Sequence, residues 1–363
     1  MRLFVGGCLL LQHIEPVRKK LSLVGMGAMV LVDGKTVASA VCGKRRQKSD
    51  VAVTVDDKWH WGSITKSMTA TVVARLVERS ELSWDSTLPV MLPDMASQMH
   101  SSWNEVTLHH VLTHSAGLPR DFPMSVQFSR PKELQKLHEK RRDEISAVLA
   151  QSAASPPGKS HAYSNVGYTL AGLIAAENRN TTWEALIEKE LFAPLKIRSA
   201  GFEPPQGSEP LDQPWGHQRV LFMRNPVDPS KHGDNSPVMG PAGIVHMSMG
   251  DLARFGWEHL LGEASGTALL KRETFQKLHA PVINDYAYGW VNWQQRDWAD
   301  RRVIWHNGSN TMWYSVLMLI PSKNAVLVIV TNDGYLNEAP QAFAELAESI
   351  VSELPTADKT RNQ

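Results

Sequence analysis

Cysteine is nearly missing from this chain: Cys8 and Cys42 are the only two in 363 residues. Two cysteines cannot build a disulfide framework, and without a C-x-x-C or Cys/His cluster they suggest no zinc site. A surplus of charge is missing too, since 38 Lys and Arg face 37 Asp and Glu. Nucleic-acid binders carry a basic patch or stripe. Here the densest basic cluster, Lys44, Arg45, Arg46 and Lys48, is diluted by Asp50, Asp56 and Asp57 and reads as a solvated loop, so no nucleic-acid partner is expected. No segment approaches the roughly 20 continuous apolar residues of a membrane span. Gly-x-Ser-x-Gly does not occur, which sets aside the nucleophile elbow of α/β-hydrolases. Gly-x-Gly-x-x-Gly does not occur either, which argues against a dinucleotide cofactor. His110 and His114 have the spacing of a zinc helix but not its glutamate, so no metal is implied.

What is present is ample apolar material, 42% of residues, enough to bury a substantial core. Leu3 to Leu11 is an apolar stretch broken by Gly6-Gly7 and closed by Gln12-His13. It fits either a signal-peptide core or an apolar lead-in to a first helix, and so leaves a periplasmic or secreted location level with a cytoplasmic one. A short helix is expected over 15–23. The stretch 27–43 reads as two strands about Asp33-Gly34, a strong local hairpin signal. Ile64, Met68, Val72, Val73, Leu76 and Val77 recur at helical spacing, which predicts a helix with one buried face running from Ser63 to Glu78.

From about residue 80 to 240, short helical segments alternate with loops rich in Pro and Gly. The runs 166–177 and 183–191 are the clearest helices there. Strand character returns over 288–293, 303–306, 313–320 and 325–331, with a turn at 321–324 and a last helix near 339–354. Strands at both ends around a helical block predict an α/β fold, an antiparallel sheet flanked by helices. The expected division is a discontinuous α/β domain, 13–79 with 241–356, a mostly helical insertion, 80–240, and a lead or signal remnant, 1–12.

Ser-x-x-Lys occurs twice, at Ser63–Lys66 and at Ser129–Lys132. The second has Pro131 inside it and no clear amphipathic helix after it, and reads as an accident. In the first, residues three apart on a helix share a face. Lys66 can then reach the Ser63 hydroxyl, a poor nucleophile until a base takes its proton. A lysine serves as that base only when burial or nearby positive charge lowers its pKa. The motif alone is better read as an N-cap serine followed by a first-turn surface lysine.

Two later motifs change that balance. Tyr163-Ser164-Asn165 stands at a loop-to-helix junction, and His306-Asn307-Gly308-Ser309 ends one strand before the next begins. Glycine at 308 permits close backbone approach to a ligand, and the following amide can point at an oxyanion. Ser63-x-x-Lys66, Tyr163-Ser-Asn165 and His306-Asn-Gly308, in that order, resemble the class C β-lactamase and penicillin-binding-protein superfamily of serine hydrolases, family VIII carboxylesterases among them. Leu112-Thr-His-Ser-Ala-Gly-Leu-Pro119, Gly240-Pro-Ala-Gly-Ile-Val245 and Thr331-Asn-Asp-Gly334 support it.

The resemblance implies a β-lactamase/transpeptidase-like fold, no cofactor, and a small ester, amide or β-lactam as partner. It implies that Ser63 is acylated, that Lys66 helps deprotonate it, and that Tyr163 is a shared acid and base. Asn165 would contact substrate, and the amides of Ser63 and Ser309 would form the oxyanion hole. Gly308 would be needed because a side chain would block the substrate, and His306 would sit among the substrate contacts. The departure is His306, where class C β-lactamases carry lysine. Histidine is largely neutral at pH 7, which favours uncharged esters and predicts a carboxylesterase. A D-amino-acid peptidase, a DD-carboxypeptidase, a weak β-lactamase and a catalytically silent sensor are the alternatives. Trp290, Trp305, Trp313 and Tyr314 read as core residues, with an acyl pocket as the other option.

Overall fold

The turn at Asp33-Gly34 shows local chemistry dictating structure. Both residues take positive φ, 50° and 72°, as the central pair of a tight primed hairpin turn requires. They join β1 (Gly25–Val32) to β2 (Lys35–Gly43), with Val32 opposite Lys35. The computed structural model describes residues 6–356 except 210, 221, 222, 232 and 336. The remaining strands are β3 (Lys58–His60), β4 (Gly216–Val220), β5 (Met223–Val227), β6 (His246–Ser248), β7 (Val291–Arg296), β8 (Arg301–Ser309), β9 (Tyr314–Ile320) and β10 (Ala325–Thr331).

Six strands form one sheet in the order β2-β1-β10-β9-β8-β7, and every neighbouring pair is antiparallel. The first hairpin therefore pairs with the end of the chain, through Met26 opposite Thr331 to Val32 opposite Ala325. Side chains alternate across the pleat. On β10, Ala325, Leu327 and Ile329 enter one apolar cluster, while Val326, Val328 and Val330 enter the other.

The longer helices are α1 (Gly7–Lys20), α2 (Thr65–Glu78), α3 (Leu134–Leu149), α4 (Asn165–Asn178), α5 (Met249–Ser265), α6 (Arg272–His279) and α7 (Ala339–Ser352). α1 and α7 cover one face of the sheet with Leu10, Ile14, Phe343 and Ile350. On the other face Met68 and Val72 of α2, Leu170 and Leu173 of α4, and Leu252 and Phe255 of α5 share the larger core. The chain is thus a mixed α/β fold whose antiparallel sheet is flanked by helices on both faces.

Three expectations change. The first helix begins at Gly7, not 15, because Leu10 and Ile14 dock on the sheet and carry the apolar stretch into the helix; residues 3–5 of that stretch lie outside the described residues. α2 is buried nearly all round, Thr65 to Ala74 included, instead of on one face. Its hydroxyls make this possible: Ser67 donates to the Gly289 carbonyl at 2.5 Å and Thr69 to the Pro241 carbonyl at 2.8 Å. The paired strands β4 and β5 fall inside the stretch expected to be mostly helical. They are short and largely exposed, so no apolar alternation marks them.

Candidate active site

Ser63 stands where a strand is forced to become a helix. β3 ends at His60, Trp61 donates its amide to the Val245 carbonyl at 3.0 Å, and a 3-10 turn spans Gly62–Ile64 before α2 begins. Gly62 has φ of 51° and its backbone presses on β8: a Cβ there would lie 2.4 Å from the Ser309 amide nitrogen. A Cβ on Gly308 would lie 1.8 Å from the Trp61 carbonyl oxygen. Gly308 is therefore needed for contact between two backbones, the nucleophile turn and β8, a reason additional to the open substrate path that the resemblance implied.

One turn on, Lys66 is fully buried. Its Nζ is 3.0 Å from Ser63 Oγ, 2.7 Å from Asn165 Oδ1 and 2.6 Å from the Ala242 carbonyl. Two of these partners can only accept, while the serine hydroxyl can also donate. An ammonium can donate to all three; a neutral amine, with two N–H donors and one lone pair, can donate to the two carbonyl oxygens and accept from Ser63. The electrostatics favour the neutral amine. Burial pushes the lysine well below its ordinary value, Asp121 opposes the shift, and Arg120 reinforces it.

Asn165 and Tyr163 reach the same point because Ser164 caps α4. Its Oγ accepts from the Gly167 amide at 2.9 Å and donates to the Pro119 carbonyl at 2.6 Å. Asn165 Nδ2 donates to Asp121 Oδ1 at 2.5 Å, which turns the amide oxygen towards Lys66. The Tyr163 ring lies over the lysine, with Nζ 4.8 Å from its centroid. Burial raises the phenol pKa, against a hydrogen bond with Ser63 and the charge of Arg120. Lysine and tyrosine are thus pushed apart, the amine towards its basic form and the phenol towards its acidic one.

The structure brings Ser63, Lys66, Tyr163, Asn165, Gly308 and Ser309 together, and Ser63, Tyr163, Asn165, Gly308 and Ser309 line a cleft of about 520 Å³. His306 is set apart. It is buried behind the wall of the cleft, its ring 6.5 Å from that of Tyr163 and its Nε2 3.4 Å from the Tyr286 hydroxyl. It is not among the side chains that line the cleft. On β8, His306 shares a face with Gly308, the face that looks into the nucleophile turn. Burial and the nearby Lys66 pull its pKa down to about 3, against the Asn307 carbonyl.

The aromatics near the third motif do not line the cleft either. Trp290 and Trp313 are in the larger core, Tyr314 is in the smaller one, and Trp305 packs against it. Amides line it instead: Gln127, Asn165, Asn235, Asn307 and Asn310, with Met239 and Ala242 as apolar members.

Several neighbours carried no signal of this role. Arg120 and Asp121 flank the reacting groups from the loop after Leu112–Pro119. His114, set aside above as a zinc ligand, accepts the Ser164 amide on Nδ1 at 3.1 Å, and its ring lies 4.4 Å from that of Tyr163. The Ala242 carbonyl comes from the Gly240–Val245 phrase. Among the described residues, no three His, Cys, Asp or Glu side chains cluster to hold a metal ion, and no helix is long and apolar enough to cross a membrane.

Comparison with known proteins gives the same fold. Residues 10–351 match the family model described as Beta-lactamase. Penicillin-binding protein 4 of Amycolatopsis lactamdurans is 24% identical, the match covering 94% of this chain and 89% of that protein. The D-alanyl-D-alanine-carboxypeptidase/endopeptidase AmpH of Escherichia coli is 22% identical over 84% of this chain and 78% of its own. A solved class C β-lactamase superposes with a TM-score of 0.79 at 19% identity, covering 96% of both chains.

Proposed function

The chain belongs to the β-lactamase family of serine hydrolases, and from that premise we propose that it acts through an acyl-enzyme on Ser63, with Lys66 as the resting base and Tyr163 as the proton carrier. The observation that carries this is the set of partners around Lys66 Nζ, two carbonyl oxygens and the Ser63 hydroxyl.

In the proposed course, Lys66 takes the Ser63 proton as Oγ attacks the substrate carbonyl. The developing oxyanion lies against the Ser63 and Ser309 amides, aimed before the charge appears. Tyr163 gives its proton to the leaving group as the carbonyl carbon–heteroatom bond breaks, and recovers one from the lysine ammonium. Water then attacks the acyl-serine by the same steps in reverse.

Small uncharged esters are the proposed substrates. The third motif offers His306, buried and far below its ordinary pKa, where a lysine would attract a carboxylate. A second reading, hydrolysis of peptide-like amides, has an observation of its own in the five side-chain amides lining the cleft. The carboxypeptidase/endopeptidase name of one relative is consistent with it.

A fluorophosphonate probe should label the wild type and leave Ser63→Ala unlabelled. An unlabelled wild type would overturn the acyl-serine reading. Comparing kcat/KM on short p-nitrophenyl esters, D-alanyl amides and a chromogenic cephalosporin then decides between substrates, with esters expected to lead.

A further inference from the structure

Against the cleft, whose lining includes Asn310, lies a knot of buried polar side chains outside the three motifs described above. His60 closes β3 and is fully buried; Asp234 sits in the loop before Gly240; Asn310 begins the turn from β8 to β9. Asp234 Oδ1 accepts from Asn310 Nδ2 at 2.9 Å and from the Asn235 amide at 2.6 Å, and it stands 2.9 Å from His60 Nε2. The other ring nitrogen of His60, Nδ1, accepts the Gly62 amide at 3.1 Å. With Nδ1 accepting, the ring N–H is on Nε2, facing the carboxylate.

We propose that Asp234 is a positioning residue for hydrolysis, its one buried carboxylate tying together the two backbone segments whose amides receive the oxyanion. On one side the carboxylate stands in close contact with His60, whose Nδ1 holds the amide of Gly62, the residue before Ser63. On the other it holds Asn310, the residue after Ser309, and Asn310 Oδ1 in turn accepts the Met312 amide at 3.2 Å, fixing the far side of that turn. The two segments meet at Gly62 and Gly308 with no side chain between them. Their relative position decides whether the Ser63 and Ser309 amides converge on one point.

Stability alone explains this arrangement poorly. Asp234 Oδ2 is buried without a partner, and the His60 contact is close but not aligned as a good hydrogen bond. A buried carboxylate left half-satisfied is an inefficient brace for a fold. As an anchor for two amides it has a use, because oxyanion donors act only when held in place before charge develops.

The inference rests on the acyl-serine reading, and its test separates the two. In Asp234→Asn, turnover of p-nitrophenyl acetate and inhibition by phenylboronic acid, which forms a tetrahedral adduct on serine, are measured on the full chain. A donor misplaced only for the transition state lowers kcat by roughly 100-fold, leaves KM within about threefold, and weakens the boronate in step with kcat. Asn310→Ala, which cuts one tie, should show a smaller loss of the same kind. His60→Asn keeps an acceptor near Gly62 and should lose less than His60→Ala.

Unchanged kcat in Asp234→Asn, or a loss confined to KM, overturns the positioning role while fluorophosphonate labelling of the wild type still upholds the acyl-serine. If Asp234→Asn does not fold, Asn310→Ala and the His60 pair decide the question by the same split between kcat and KM.

Discussion

A lysine enclosed by protein loses the water that would solvate its ammonium, and at Lys66 two neighbours of opposite charge adjust that loss. Asp121 favours the ammonium and Arg120 disfavours it, with burial the larger effect. The acid limb of kcat/KM reports the base of the free enzyme, so substitutions at these neighbours should move it in opposite directions. Asp121→Asn removes the charge that holds the proton on, and the limb should shift to lower pH. Arg120→Gln removes the charge that drives the proton off, and the limb should shift to higher pH. Profiles that move together, or not at all, would mean that Lys66 is not the group titrating. The Ser63 and Lys66 pairing was legible in the sequence because helical spacing alone brings residues three apart onto one face. The direction of His306 was also present there, unread: it shares strand parity with Gly308, and a glycine required by backbone contact marks the buried face. Arg120, Asp121, His60 and Asp234 were not legible, since each acts on a partner that only the assembled chain brings near.

α2 links chemistry at one end to stability at the other. Ser63 and Lys66 lie at its start; near its end Arg75 and Arg79 reach Glu190, in a π-helical turn over Glu188–Phe192, at 3.0 Å each. Burial alone would raise the Glu190 pKa, but the hydrogen bonds and charges of Arg79 and Arg75 outweigh it and lower the value. A carboxyl with a lowered folded pKa stabilises above its unfolded value, and that contribution is lost as pH falls through the folded value. Glu190→Gln should therefore cost roughly 1–3 kcal/mol near neutral pH, and the gap to the wild type should close in acid, as the pH falls below the ordinary glutamate range. Denaturant unfolding at both pH values checks this, and a gap independent of pH would rule out the ion pairs as its source. The existence of α2 was legible from its apolar period. Its burial on every side was not, because Ser67, Thr69 and Thr71 look like a polar face until the carbonyls that receive their hydroxyls are in place.

Across the whole molecule the sheet is a partition. Ser63, Lys66, Tyr163 and Asn165 lie on the side of α2 and α4, while α1 and α7 close the opposite face. The pairing of β1 with β10 joins the first strand block to the last; that the two blocks share one sheet was legible in the strand signal, but which strands pair was not. The docking of α1 was not, because its apolar residues run into a stretch that also reads as a targeting segment. Ile14 is fully buried in the smaller cluster, with the sheet between it and the cleft. Truncating it to alanine leaves a cavity among α1, α7 and the sheet and should cost about 2–5 kcal/mol. Effects at well-separated sites without shared partners are close to independent. Ile14→Ala should then lower the melting temperature while kcat/KM, measured where the variant is still folded, stays within about twofold of wild type. A large loss of kcat in folded Ile14→Ala would mean that strain crosses the sheet, and that the packing of α1 is part of what holds the catalytic face in shape.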